Sequence, residues 1–438
     1  MEPIRVYLDS DDYSKMSDPC VLKNEPEKQR IRDFLLKCVE NNVIEIRFSM
    51  IHVVEMIQRN KEAKQYALNR ARLLKDLTKG KTFRSFPNLR LDDAIYRAKA
   101  SSQKMTHSAF PYYAFLDNYN WLDYDADSRQ SNSVRSLVLK SVDQSIKSLK
   151  TSRENKIKLR RLFFKKGKLT SEAANLIKAG DIQFEQNSLE SALIKFTSKE
   201  HIISWMMGEI KEKDYFVPLF TNTMDPYFFV DVMCDLKPEC QALVIKFITS
   251  LGNDVLNRTI DVENKIEKIK IGFSINYPSL VDQLEGKLKI IYRNKIPAVV
   301  KNKRTEHLKK MYQCEKHKIR AAGLKWQDWE NHVVNSDLGQ LHSLDLFFVL
   351  QAQLYLDKVT GARAKVSTTD GPDIYHLGYS PYCDIFRADK RTTDMYNKIK
   401  RYTQIGDTKI LSKIEELPDE IMKLAYERGV SKETIPDM

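Results

Sequence analysis

Four carboxylates in this 438-residue chain fall where hydrolytic chemistry would need them. Asp9 ends the apolar run Ile4-Arg5-Val6-Tyr7-Leu8. Glu55 lies on the helix expected after the alternating run Val43 to Phe48. Asp373, with Asp370 three residues earlier, falls in an acidic, glycine-containing turn expected from Thr368 to His376. Asp389 ends the run Cys383 to Ala388. Each follows or faces the C-terminal end of a strand, the edge at which sites form in open parallel sheets. Singly, Asp9 and Asp389 read as helix N-caps and Glu55 as a surface residue. Together, carboxylates gathered at one edge repel unless a cation neutralises them. Hard oxygen ligands with few His or Cys select Mg²⁺ or Mn²⁺. Such an ion, bridging phosphate oxygens, suits phosphodiester hydrolysis. Asp11, Asp12 and Asp384 are weaker candidates, Asp384 because it begins a strand. His376 is expected either to position a phosphate or a water or to pack at a helix start, and His52, on an apolar helix face, reads as core.

Charge gives the second signal. There are 72 Lys and Arg against 59 Asp and Glu, a formal +13. Lys140 to Lys168 holds eleven basic residues against Asp143 and Glu154, and Lys287 to Arg320 holds twelve against Glu306 and Glu315. The rest of the chain is net acidic. A polyanion is the natural partner of positive charge so concentrated. Arg153, Lys156, Arg160, Arg161, Lys165, Lys166, Lys301, Lys303 and Arg304 are the candidate nucleic-acid contacts; the plainer reading is two solvated helix faces. Phe163, Phe164 and Tyr292 lie inside these stretches and serve either as stacking platforms or as core.

The elements that must position these groups follow from periodicity. Ile4 to Leu8 reads as a strand ending in the acidic turn Asp9-Ser10-Asp11-Asp12. A helix follows, with Pro26 near its first turn and Ile31, Phe34, Leu35, Cys38 and Val39 on one face. Asn41-Asn42 ends it. Val43 to Phe48 alternates as a strand does, and Ser49 caps a long helix running past Arg70. From about Lys81 to Trp329 the pattern is mostly amphipathic helices, among them Ser188 to Phe196 and Gln241 to Leu251. The α/β rhythm then returns. An apolar helix spans Leu341 to Val359, a short strand Cys383 to Ala388, a helix Thr392 to Tyr402, a strand Lys409 to Leu411 and a helix Asp419 to Arg428. Trp326 and Trp329 are expected to anchor the middle region to the sheet. Gly and Pro number 14 each, which argues against a turn-rich β-sandwich and for long helices. The expected class is α/β: residues 1–85 and 330–438 as one discontinuous domain with a parallel sheet flanked by helices, and 86–329 as a basic, mostly helical insertion.

No run of about 18 apolar residues is present, so no membrane span is expected. The first residues lack the form of a signal peptide. Six cysteines without a CxxC pair fit free thiols in a cytoplasm. Cys314 with His317 is at most half a metal site.

The run Ile4 to Asp12 resembles the opening of a PIN-domain nuclease: a strand, then Asp and a small hydroxyl residue. Phe48 to Ile57, with Ser49 six residues before Glu55, is similar to the second motif of that family. Asp370-Gly371-Pro372-Asp373-Ile374-Tyr375-His376, followed by Tyr382 to Lys390, resembles the third and fourth motifs of the larger PIN-like branch. The resemblance covers the two ends of the chain. It implies a PIN-like sheet split by the helical insertion and a Mg²⁺- or Mn²⁺-dependent nuclease with Asp9, Glu55, Asp373 and Asp389 as ligands and Asp370 beside them. RNA is the favoured substrate, with DNA the alternative, and a bacterial defence or toxin-type role and a regulatory protein partner fit the architecture. The sequence departs from the family in two ways: Asp11 stands where Asn is usual, and the insertion is long.

Two other readings compete. Asp9-Ser10-Asp11 also fits the Asp-x-Asp motif of haloacid-dehalogenase-like phosphatases, with Asp9 as nucleophile and Asp11 as general acid/base. Asp389 and Asp394 would then be the final acids. That reading leaves Glu55, Asp373 and the basic stretches unexplained. The other is a catalytically inactive nucleic-acid-binding or adaptor protein.

Overall fold

A computed structural model describes residues 2–57, 61–102, 112–121, 123, 139, 142–143, 146–147, 150–165, 167–181, 183, 189–210, 224–238, 241, 300–359, 370–400 and 408–436. It is a mixed α/β structure, mostly helical. The strands are β1 (Ile4–Tyr7), β2 (Ile44–Ile46), β3 (Thr82–Phe83), β4 (Phe115–Leu116), β5 (Phe164–Lys165), β6 (Lys168–Leu169), β7 (Ile385–Arg387) and β8 (Lys409–Leu411). One sheet has four strands, all parallel, in the order β2-β1-β7-β8. Its central pair joins the two ends of the chain, with Val6 opposite Ile385 and Tyr7 opposite Phe386. β3 with β4 and β5 with β6 form two-stranded antiparallel pieces, so the middle of the chain is not purely helical.

Every residue of β1 is buried, as a strand covered on both faces should be. The aromatic rings of Tyr7 and Phe386 stack at 4.6 Å across the β1–β7 pair. Phe83, Tyr379, Phe347 and Leu350 extend that core. Arg5 is buried too; its backbone N–H donates to Asp384 Oδ2 at 2.7 Å, and its guanidinium lies over the Phe115 ring. Asp384 also pairs with Arg428. It therefore belongs to the opposite edge of the sheet from Asp9 and Asp389.

The helix Pro26–Glu40 begins at proline and buries Ile31, Phe34, Leu35 and Cys38. It ends at Asn41, and Asn42 takes the left-handed conformation (φ 56°) that Asn tolerates. Three local expectations are corrected. Ser10–Ser17 is a helix with Asp9 as N-cap, not an acidic turn. The helix after Ser49 stops at Met56, and a separate helix spans Lys64–Thr78. Asp370–Leu377 is a helix rather than a turn. Pro372 is tolerated there because N–H groups in a first helical turn have no intrahelical acceptor to lose.

Contacts divide the chain into two compact units. The first is Met1–His52, Asp76–Asp117 and Asn253–Met438; the second is Val53–Lys75 and Asn118–Gly252. Residues 86–117 therefore group with the sheet by contact. In the first unit Trp329 is fully buried, donates its indole N–H to Leu308 O at 3.1 Å and packs on Tyr312. In the second, Trp121 donates to Met224 O at 3.0 Å and packs on Phe229. Among the described residues no helix is long and apolar enough to cross a membrane. Most of Gln241 to Leu251, with Tyr292, lies outside the described residues.

Candidate functional site

The sheet order places the ends of β1 and β7 side by side. Two residues past the last paired position, Tyr7 opposite Phe386, come Asp9 and Ala388, and Asp389 is next. Both aspartates then begin helices. Asp9 is the N-cap of Ser10–Ser17, and its backbone N–H donates to Asp12 Oδ2 at 3.1 Å. Asp389 is the N-cap of Lys390–Ile399, its Oδ1 accepting from Thr392 N at 2.6 Å. Asp12 is fully buried and faces Arg387, the last residue of β7, with Nη2 3.1 Å from Oδ1. That buried pair ties the helix carrying Asp9 to the strand leading to Asp389.

Asp373 enters from the helix Asp370–Leu377, anchored by Ile374 and Leu377 in the core. The close approach at its end requires Gly378, where a methyl would run into the Phe86 ring. Asp373 pairs with Arg391, whose Nε is also 3.8 Å from Asp389 Oδ2. Burial pushes the Asp373 carboxyl from 3.8 up to about 6. Arg391 and His376 pull it down; Asp389 and Asp9 add to the rise. The three aspartates therefore share one electrostatic neighbourhood. Burial likewise lifts Asp12 to about 7, with Arg387 opposing and Asp9 and Asp11 reinforcing.

Beneath them runs a buried polar chain. The Tyr7 hydroxyl lies 2.5 Å from His376 Nδ1 and 3.1 Å from Ser49 Oγ. His52 Nε2 is 2.8 Å from the Leu8 carbonyl, which can only accept, so Nε2 carries the proton. Its Nδ1 then accepts from the Ser49 N–H at 3.0 Å. His52 is core, as its apolar helix face implies. His376 is buried and held by Tyr7.

Not every residue singled out in the sequence joins this group. Glu55 is half-buried at the end of the helix Met50–Met56, in the second unit, where its charge acts on Arg70. The Asp370 side chain and all of Lys166 lie outside the described residues. Asp11 is exposed and paired with Lys15 at 2.6 Å. Arg391, the Asp12–Arg387 pair and the Tyr7–Ser49 pair are not marked by any pattern in the sequence. Arg391 had one visible sign, a cation two residues after the strand-ending aspartate.

The basic residues divide as well. In the second unit, Arg153, Lys158, Arg160, Arg161 and Lys165 are exposed on the helix Arg153–Phe163 and the hairpin after it, and Lys156 is half-buried. Arg160 is paired with Asp143, and Lys158 with Glu154. Phe163 is buried, which makes it core and not a stacking platform. In the first unit, Lys301 and Lys303 are exposed. Arg304 is not a surface cation. It is 1% exposed, its Nη1 and Nη2 donate to Ser336 O and Oγ at 3.0 and 2.6 Å, and its Nε pairs with the fully buried Asp345. It shares a helix face with Val300 and Leu308, four residues to either side, both buried.

The donor set at the edge is right for a hard divalent cation: carboxylate oxygens that burden one another. Among the described residues no three His, Cys, Asp or Glu side chains stand together as a ready metal site. Asp373 and Asp389 instead face one guanidinium. No protein-family model matches the chain, and no curated protein or solved structure matches it.

Proposed function

We propose that this chain is a Mg²⁺- or Mn²⁺-dependent nuclease of the PIN-like kind that cleaves single-stranded nucleic acid, RNA first, with the basic middle region an insertion into the nuclease domain. The observation that carries the reading is the meeting of Asp9, Asp373 and Asp389 at the C-terminal edge of a parallel sheet, with Asp373 raised to about 6 although an arginine sits beside it. Like charges held together above their neutralising capacity call for a further cation.

A divalent ion there would polarise the phosphodiester and lower the pKa of the attacking water. Asp9, Asp373 and Asp389 would hold it. Asp389 offers Oδ2, because Oδ1 is engaged in capping. Asp12 and Arg387 fix the spacing of the two helix starts, and Tyr7 and His376 support the helix carrying Asp373 from below. The exposed cations of the Arg153–Phe163 helix give a surface for sequence-independent phosphate contacts. Glu55 is assigned by sequence pattern alone, and the Glu55→Gln variant decides its membership.

The test is cleavage of single-stranded RNA and DNA with Mn²⁺ or Mg²⁺. Activity should stop with a chelator, and Asp9→Asn, Asp373→Asn and Asp389→Asn should each lose it while keeping the fold. Cleavage that persists in excess chelator would sink the metal reading. Hydrolysis of a small phosphomonoester, inhibited by beryllium fluoride, would put the phosphatase in its place.

A further inference from the structure

We infer that Arg391 is the built-in counter-ion of the carboxylate edge and is exchanged for the divalent cation. The inference rests on the metal-dependent reading above and names how that site is loaded. Arg391 is the residue in contact with both Asp373 and Asp389. Its Nη2 pairs with Asp373 Oδ2, and its Nε lies 3.8 Å from Asp389 Oδ2. The remaining oxygen of Asp389 is occupied by the Thr392 N–H. The guanidinium thus takes the oxygens that an ion would take.

Three further facts fit this role. Arg391 is the second residue of the helix Lys390–Ile399. A cation in a first turn opposes the helix dipole, so the helix gains nothing from it there, whereas the two acids do. Its side chain is 38% exposed while that of Asp373 is 17% exposed. The arginine can therefore swing into water on its flexible stem without opening the core, and the acid stays put. Lastly, a guanidinium spreads one charge over a wide planar fork, which holds two carboxylates apart. A compact ion with a short coordination distance draws them together. That accounts for acids that share a neighbourhood but do not form a closed ligand group among the described residues.

The test is calorimetric titration of the full chain with MnCl2 at pH 7.5, paired with thermal melts with and without the ion. Arg391→Gln removes the competitor and leaves the acids. It should bind Mn²⁺ about tenfold more tightly, the scale of one charge-assisted hydrogen bond. It should also melt lower than the parent without metal and gain more from metal. Arg391→Lys keeps a cation but loses the fork. It should fold as the parent does and bind a few-fold more tightly, so the inference stays testable if the Gln variant fails to fold. A parent that binds Mn²⁺ while Arg391→Gln or Arg391→Lys binds equally or more weakly overturns the counter-ion role and leaves the metal reading standing. A folded parent and folded variants that bind no Mn²⁺ at all overturn both.

Discussion

Without metal, Asp373→Asn should stabilise the protein, and the gain should depend on pH. The Asp373 carboxyl is raised from 3.8 to about 6, chiefly by burial, and that shift already includes the help given by Arg391 and His376. A raised acid favours the protonated form in the folded state. Ionising it therefore costs stability in full above pH 6, and the cost fades as pH falls toward the unfolded value. At 1.36 kcal/mol per unit, the shift corresponds to ~3 kcal/mol at pH 8. The same linkage leaves ~1.5 kcal/mol at pH 5 and ~0.5 kcal/mol at pH 4. Asparagine is neutral at every pH, so the variant should exceed the parent by these amounts. Its amide oxygen can still accept from Arg391. The assay is urea unfolding followed by circular dichroism at pH 8, 5 and 4 with a chelator present, comparing midpoints at constant slope. A variant less stable than the parent at pH 8, or a gain equal at pH 4 and pH 8, would refute the reasoning. The first result would mean that the Arg391 pair outweighs burial, and the second that Asp373 does not titrate in this range.

Tyr7→Phe removes a buried hydroxyl between His376 and Ser49; it should cost about 1–3 kcal/mol in the same unfolding assay. Arg304→Met strands the buried Asp345 and should cost about 3–5 kcal/mol, whereas the double change with Asp345→Leu should recover much of that loss. Recovery in the double variant, read by thermal melts, separates a stranded charge from poorer packing. Neutralising Arg160, Arg161, Lys165 and Lys166 together should weaken single-stranded nucleic-acid binding. It should flatten the plot of log K against log salt by about 0.7 for each phosphate that the protein no longer neutralises. An unchanged slope would make this a solvated face, consistent with the pairing of Arg160 to Asp143.

The sequence by itself determined the strands at the two ends of the chain, the helix from Pro26 and the apolar helix His342–Val359. Each carries its own signal: a fully apolar run, a one-sided periodicity or a proline start, all of them local physics. It also placed Asp9 and Asp389 after strands, because a strand followed by a capping residue is written in consecutive residues. It could not show that Asp370–Leu377 is helical. Gly371-Pro372 reads as a breaker until the segment is known to start there, where the missing N–H costs nothing. Tertiary structure alone decided which charges point inward. Arg304 and Lys303 are adjacent, yet one is buried on Ser336 and Asp345 and the other faces water. Only the fold revealed Arg391 against Asp373, Asp12 against Arg387 and Tyr7 against His376. Such pairs join residues far apart in the chain. The energy that selects them is electrostatic and depends on burial, which no single stretch of sequence contains.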